Sequence, residues 1–238
     1  VTGLTRPGPE KQAPGEDDTG RSVFTDTFGE VRALTIQPAE GPALAFEKDD
    51  ATWKIVEPVA ARAAAEPVRA VFEKIEDLTY VQSFSADDTA APSDSDAGLA
   101  PPRWTVTVGD AEGRTRVLHV GEPTPTHPGS RTYVRPAGTE TTYVVAVNFR
   151  SLLDRRPDAY RSKDLLEVTA KQIARVRVAG RARFELVKDL DDVWHLREPL
   201  KVRADVAAVD DLLDALAGLK AKSFVTDSPE ALSDYGLD

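Results

Sequence analysis

One segment of the chain occurs twice, and this repeat limits the folds open to the chain more than any other feature. Residues 194–224, WHLREPLKVRADVAAVDDLLDALAGLKAKSF, correspond to residues 53–84, WKIVEPVAARAAAEPVRAVFEKIEDLTYVQSF. The positions shared by the two copies are Trp53 and Trp194, Glu57-Pro58 and Glu198-Pro199, Arg62 and Arg203, and Phe84 and Phe224. The repeat indicates how the chain is built, and it carries no chemistry of its own.

Each copy combines short strand patterns with one amphipathic helix. Alternating apolar residues predict strands at 31–36, 44–46 and 53–55 in the first copy, and at 173–178, 184–187 and 193–196 in the second. The period then becomes helical over residues 67–78, and again after Asp205, which is a good N-cap. Ala64 stands at the matching place of the first copy and cannot cap, so we expect that helix to start later, near Pro67.

The residues between the two copies predict further strands and no long helix. Four strand patterns, at 103–108, 116–120, 132–135 and 142–147, are followed by a short helix that Asn148 caps. We therefore predict an α+β fold with antiparallel sheets, each covered by an amphipathic helix and built from a tandem repeat with a partial second copy. The expected organisation is a disordered tether at 1–22, a first unit at 23–160 and a second, partial unit at 161–238.

Composition excludes several classes of function. The formal net charge is −10 and the pI is about 4.9, and most of the Lys and Arg residues are interleaved with acids and form no basic stripe, so nucleic acid is not expected as a partner. Cysteine is absent, which excludes disulfides, thiolate metal sites and cysteine nucleophiles. Methionine is absent too, and the chain opens with Val1, so we expect a fragment or a trimmed protein. No apolar run approaches the roughly 20 residues that span a bilayer, so any membrane anchor would lie upstream.

Several short motifs in a fixed order resemble a known bacterial family. These are W-x-[IVL]-x-E-P, an Ala/Asp-rich helix with the pattern V-x-x-[LF]-[LF]-x-x-[IL]-x-x-L, a G-L element, and RSKDLLE at 161–167. Together they resemble the family catalogued as domain of unknown function 4340. The resemblance implies a membrane-anchored, extracytoplasmic body that is associated with gliding-type ABC transporter components. It implies no activity and no catalytic residue, and this chain departs from it in having no anchor of its own.

The residues with catalytic or metal-binding chemistry form no recognisable motif. His119 and His195 fall in predicted strands and His127 in a Pro-rich loop, and no pair has ligand spacing. Residues 94–98, DSDAG, lack the later oxygen ligands of a calcium loop, and the acids at 189–192 fit a solvated hairpin turn. Four helix carboxylates fit a solvated helix face better than an acid–base pair: Asp205, Asp210, Asp211 and Asp214. We therefore assign no catalytic residue, metal site or cofactor.

Three functional hypotheses remain, in order of preference. The first is a non-enzymatic extracytoplasmic interaction or scaffold module that joins an ABC-transporter-like membrane assembly, with a cytoplasmic location as the alternative. The second is a ligand- or polysaccharide-binding protein with a groove between the repeats. The candidate ligand or partner surface comprises Trp104, Arg131, Tyr133, Arg135 and Tyr143. The third is a hydrolase with scattered carboxylates, which would need two acids converging in one pocket.

Overall fold

The computed structural model describes residues 20–26 and 29–237, and the chain divides into two compact units. The first unit ends at Ser162 and the second begins at Lys163. Most of the predicted tether, residues 1–19, lies outside the described residues. The end of that segment is described: the Gly20 N–H donates to the Tyr80 carbonyl at 3.0 Å, and Ser22 forms a β-bridge with Thr79.

The first unit is organised around one antiparallel sheet of nine strands, in the order β4-β3-β2-β1-β6-β7-β8-β9-β5. The strands are β1 (Val31–Pro38), β2 (Leu44–Asp49), β3 (Thr52–Glu57), β4 (Ala61–Arg62), β5 (Tyr80–Phe84), β6 (Trp104–Asp110), β7 (Thr115–Pro123), β8 (Thr132–Pro136) and β9 (Thr142–Val145). Helix α1 (Ala65–Glu76) follows β4, and the short helix α2 (Phe149–Leu153) follows β9. β1 pairs with β6, so strands β6 to β9 and β5 extend the sheet that β1 to β4 begin.

The second unit contains a smaller antiparallel sheet of four strands, in the order β10-β11-β12-β13. The strands are β10 (Arg175–Val178), β11 (Phe184–Lys188), β12 (Trp194–Glu198) and β13 (Val202–Arg203), and helix α3 (Val206–Ala217) follows them. The elements β10 to β13 and α3 therefore occur in the same order as β1 to β4 and α1.

The predicted α+β class and the antiparallel pairing are confirmed by these sheets. Asp205 caps α3 as predicted, because its Oδ1 accepts a hydrogen bond from the Ala208 N–H at 2.9 Å. Asn148 likewise caps α2 by accepting from the Ser151 N–H at 3.1 Å. Helix α1 begins at Ala65, before the expected start at Pro67, because a proline in the first helical turn sacrifices no hydrogen bond.

Each unit has its own buried core. In the first unit Val68, Val71 and Ile75 of α1 belong to the same buried cluster as the inward residues of the sheet. The core of the second unit is much smaller and consists of five buried side chains: Val176, Leu186, Trp194, Val209 and Leu213. The size of the two cores is therefore the main structural difference between the units.

The last residues of the first unit are anchored in the core of that unit by Tyr160. Tyr160 is fully buried, its ring centroid lies 5.1 Å from that of Phe46, and its hydroxyl donates to the Leu152 carbonyl at 3.1 Å. The Tyr160 carbonyl accepts from the Ala64 N–H at 2.7 Å, at the start of α1. Residues near the end of the unit thus complete the packing of its first helix.

Candidate functional site

The second unit leaves part of the apolar face of its helix open, whereas the first unit buries the matching face. Ile75 and Leu78 in and after α1 are each 1% exposed. Leu216 and Leu219 stand at the matching places in and after α3, where Leu216 is half-buried and Leu219 is 43% exposed. An apolar helix face that is buried in one unit and accessible in the other is a candidate binding surface.

The two units also differ in the strands that join each sheet. In the first unit the sheet continues from β1 into β6, and the added strands bring further apolar side chains into the core. Those side chains are Val106, Val108, Leu118, Val120, Val134 and Val145. In the described part of the second unit the sheet ends at β10, so α3 has no such layer beside it.

An apolar groove of about 420 Å³ lies where α3 meets its sheet. Its apolar lining comes from three strands and the helix, and it includes Phe184, Leu186, Leu196, Val202, Val209 and Leu212. We call this feature the open groove. The lining is continuous with the core of the second unit, because Leu186 and Val209 are members of both.

Large apolar side chains are exposed mainly in the second unit. In the described part of the first unit, Val56 and Val59 are the large hydrophobic residues that are more than one-third exposed. The second unit has many: Leu165, Leu166, Val168, Leu190, Leu200, Val202, Val206, Leu219, Val225, Leu232, Tyr235 and Leu237. Single exposed leucines are ordinary on protein surfaces, but this concentration on one small unit is typical of an interaction surface.

A smaller depression of about 290 Å³ lies on the flank of α3 that carries Val206 and Asp210. Charged groups line it together with apolar ones, and among them are Lys171, Lys188 and Arg203. Lys188 is paired with Asp192 at 2.6 Å. The open groove has fewer charged lining residues, which are Arg203 and Asp205.

The closest acid–histidine contact closes a hairpin turn. His195 Nε2 lies 2.8 Å from Asp189 Oδ2, and the same carboxylate accepts from the backbone N–H groups of Asp191 and Val193. The Val193 N–H is the largest cause that lowers the pKa of the Asp189 carboxyl; partial burial opposes it, and His195 adds to the lowering. The contact orders the turn between β11 and β12, as the solvated-turn interpretation of this cluster requires. In the described ranges, no three His, Asp or Glu residues are grouped so that they could hold a metal ion.

The five residues of the candidate ligand surface all belong to the first unit, and the sheet separates the aromatic ones. Trp104 is 9% exposed and belongs to the buried core, and the Arg103 guanidinium lies 5.9 Å from the centre of its ring. Tyr143 pairs with Val134, so it shares the face of that buried residue, and it packs on Tyr80 with ring centroids 4.9 Å apart. Tyr133 precedes Val134 on β8 and therefore faces the other side. The ligand-groove hypothesis thus lacks the exposed indole that it needs.

Arg135 is engaged within the first unit. Its guanidinium donates to both oxygens of Asp94, at 3.0 and 2.5 Å, and to Thr142 Oγ1 at 2.7 Å. The hydrogen bonds from Arg135 hold the pKa of the Asp94 carboxyl below its ordinary value. This ion pair fastens the polar loop at residues 85–101 to β8 and accounts for Asp94 without a calcium ion. Arg131 is half-buried, and its carbonyl accepts from the Thr124 N–H at 3.0 Å.

The remaining carboxylates and the repeated Glu-Pro pairs have structural positions. Asp210, Asp211 and Asp214 are exposed on α3. The Glu57-Pro58 and Glu198-Pro199 pairs stand at matching strand ends, after β3 and β12, and both peptide bonds are cis. No pair of these groups is enclosed in a pocket with the separated environments that general acid–base catalysis requires, within the part of the chain that the structure describes.

Sequence reasoning missed one charged segment. It treated the basic residues as interleaved with acids, but no acid occurs between Val168 and Phe184. Five basic residues lie in that interval: Lys171, Arg175, Arg177, Arg181 and Arg183. The local run of basic residues, with the alternating Arg-Val-Arg-Val of β10 at its centre, was the signal that could have revealed this feature.

Comparison with known proteins places the chain in a family. No curated protein and no solved structure matches it. Every helix in residues 20–26 and 29–237 is too short or too polar to cross a bilayer. The family described as Domain of unknown function (DUF4340) matches residues 53–238, which is well over half of the chain and includes both α1 and α3. The chain therefore belongs to the DUF4340 family.

Proposed function

We propose that this chain is a non-enzymatic interaction module whose binding surface is the open groove and the adjoining face of α3. The observation that carries the proposal is the contrast between matching helices. Ile75 and Leu78 are buried by strands of their own unit, whereas Leu216 and Leu219 remain accessible. Covering apolar surface of this kind contributes roughly 25 cal/mol per Å², from which the costs of association are subtracted.

A protein partner fits the open groove better than a sugar or a small polar ligand. Phe184 is the aromatic residue among those that line the groove; most of the others are aliphatic, and Arg203 and Asp205 are charged. Polysaccharide sites use stacked aromatic rings and convergent polar groups, whereas an aliphatic groove beside a helix is typical of peptide and protein recognition. The proposed partner therefore presents apolar side chains to the groove.

The wider setting is also part of the proposal. We propose that the two units are tandem copies, since α1 and α3 have the same length of twelve residues and each follows a two-residue strand. The module would act outside the cytoplasm, tethered to the membrane through an anchor beyond this chain, and would serve an ABC-transporter-like assembly. Membership of the DUF4340 family and the motifs shared with it support this setting.

The test is capture of partners from solubilised membranes by the 238-residue chain, with co-eluting proteins identified by mass spectrometry. Leu216→Gln makes the accessible face polar at nearly constant volume, and Leu190→Gln is the matched control on a fully exposed leucine of the same unit. We expect transporter subunits to be captured by the parent chain and by the control but lost with Leu216→Gln. Equal capture by both variants would overturn the binding surface, and capture of no transporter subunit would overturn the setting.

A further inference from the structure

The second unit has an open strand at one edge of its sheet, and the first unit shows how such an edge is completed. β1 has two neighbours, β2 and β6, whereas β10 pairs with β11 alone among the described strands. β1 and β10 correspond in pairing and in burial. Buried Leu34 of β1 opposes Phe46, and buried Val176 of β10 opposes Leu186. The free side of β10 thus corresponds to the side of β1 that β6 occupies.

The backbone groups that face this free side belong to the two arginines of β10. The Lys188 N–H donates to the Ala174 carbonyl at 2.9 Å, which marks those two residues as a hydrogen-bonded pair of the antiparallel ladder. Hydrogen-bonded and non-hydrogen-bonded pairs alternate along such a ladder. Val176 therefore bonds inward to β11, and the N–H and C=O groups of Arg175 and Arg177 point outward, where an added strand would bond them.

The side chains of this edge and of the connection from β10 to β11 are strongly basic although the protein is acidic. Arg175 is paired with Glu185 at 3.5 Å. Within the described part of the chain, Arg177, Arg181 and Arg183 are exposed and make no ion pair. Charged residues commonly protect an edge strand from unwanted pairing, but they also select for an added strand of opposite charge.

We propose that β10 accepts an antiparallel strand from an acidic segment of a partner protein, with apolar residues alternating with Asp or Glu. The proposal rests on the proposed function and specifies the chemistry of the partner. In the register of β6 on β1, Val108 opposes Leu34 and Thr107 opposes Thr35. An added strand in that register would place an apolar residue opposite Val176 and an acid opposite Arg177. Its apolar residues would extend the sheet face on which Leu186 and α3 already pack.

A second copy of the chain is a poorer occupant of the same edge. Antiparallel pairing of two β10 strands would bring the arginines of one copy against those of the other. Like charges opposite one another destabilise a strand pair, and no acidic residue lies between Val168 and Phe184 to compensate. Charge complementarity therefore favours a different, acidic chain.

The experiment uses the 238-residue chain and a labelled peptide with the β6 sequence, residues 104–110, in which Thr107→Glu and Gly109→Glu are introduced, the positions that oppose Arg177 and Arg175 in this register. The matched peptide carries Lys at the same two places. We expect fluorescence anisotropy to show that the Glu peptide binds at least about tenfold more tightly than the Lys peptide, because opposite charges meet only in the first. Equal affinity of the two peptides would overturn the proposal.

Two protein variants separate the backbone contribution from the charge. Arg177→Pro removes the outward N–H and the charge while leaving the inward bonds of Val176, and Arg177→Ala removes the charge alone. We expect Arg177→Pro to weaken binding of the Glu peptide by about tenfold more than Arg177→Ala does. Equal losses would mean that the strand edge is not used and would overturn the proposal.

Hydrogen exchange on the unmodified chain provides an independent reading should the proline variant fail to fold. Binding of the Glu peptide should slow exchange of the Arg175 and Arg177 amides, and unchanged exchange would contradict strand addition. If these tests fail while partner capture still depends on Leu216, the assignment to β10 is wrong and the interaction module stands. If capture does not depend on Leu216 either, both proposals are wrong.

Discussion

Helices α1 and α3 have the same length and follow the same order of strands, but the cores around them differ. Ile75 of α1 is enclosed by a sheet of nine strands, and Leu216 of α3 adjoins a sheet of four. The local pattern of apolar residues is alike in both helices. The same helical pattern therefore accompanies a buried face in the larger core of the first unit and an accessible face in the smaller core of the second.

The largest expected effect on unfolding free energy comes from replacing the matching tryptophans, Trp53 and Trp194, by alanine. Trp53→Ala and Trp194→Ala each remove a buried indole, and each should cost about 3–5 kcal/mol of unfolding free energy in its own unit. The small core of the second unit cannot absorb that loss, so Trp194→Ala should open α3 while α1 remains protected. Hydrogen exchange read by mass spectrometry will separate the helices, and loss of protection in α1 as well would show that the units do not unfold independently.

Alanine substitutions at the matching helix positions, Ile75 and Leu216, should lower the unfolding free energy by different amounts. Ile75→Ala leaves a cavity in a closed core and should lower the unfolding free energy by about 2–5 kcal/mol. Leu216→Ala removes a half-buried side chain, and we expect a cost below about 1 kcal/mol because water already reaches the site. Urea denaturation of both variants measures the two values. Similar costs would contradict the distinction between a closed core and an open groove.

Removing the N-cap of α3 and adding one to α1 should change the unfolding free energy by smaller amounts, in opposite directions. Asp205→Ala removes the cap of α3 and should cost about 1 kcal/mol. Ala64→Asp should stabilise α1 by about 0.5–1 kcal/mol, because Ala64 has nearly the same backbone angles (φ −73°, ψ 125°) as Asp205 (φ −68°, ψ 122°). Thermal unfolding followed by circular dichroism tests both changes, and a destabilising Ala64→Asp would show that its surroundings exclude the carboxylate.

The smallest expected effect concerns acid stability at the matching hairpin turns. The pKa values of Asp49 and Asp189 lie below the ordinary carboxyl value in the folded protein, chiefly through Lys54 for Asp49 and through the Val193 N–H for Asp189. Each carboxylate therefore contributes stability above the pKa of its unfolded form, and that contribution is lost as pH falls through the lower folded pKa. Asp49→Asn and Asp189→Asn should each flatten the acid side of the stability curve.

Salt distinguishes the two carboxylates. Asp49 is held by an exposed ion pair with Lys54 at 2.6 Å, and salt screens such a pair. Asp189 is held first by backbone N–H groups, so its contribution should change less between 0.05 and roughly 0.5 M NaCl. Urea titrations at several pH values provide the measurement, and equal salt sensitivity would contradict the assigned causes.

Local chemistry made much of the fold predictable. Alternating apolar residues located the main strands, and Asp205 and Asn148 marked two helix starts because a side-chain oxygen at that position meets an unpaired N–H. The two-residue strands β4 and β13 were missed, since two residues carry no period. Strand β5 was missed because its pairing with β9 joins residues that are far apart in the sequence.

The candidate site was less predictable, for a physical reason. The helical periods of α1 and α3 are alike, and a sequence period does not state whether another layer will cover the face that it marks. The larger core around α1 includes strands that join through the pairing of β1 with β6, and that pairing links residues far apart in the sequence. The aromatic residues chosen from the sequence proved to be packed within the sheet of the first unit, as for Trp104, or to face different sides of it, as for Tyr133 and Tyr143.

Tyr160 has a consequence for the order in which the protein is made. Its buried ring and its carbonyl bond to Ala64 place a residue from the end of the first unit beside the start of α1. A ribosome releases the chain from the N-terminus, so the first unit cannot close its core until residue 162 has left the exit tunnel. The second unit is synthesised after the first, and its apolar helix face has only a small core to protect it.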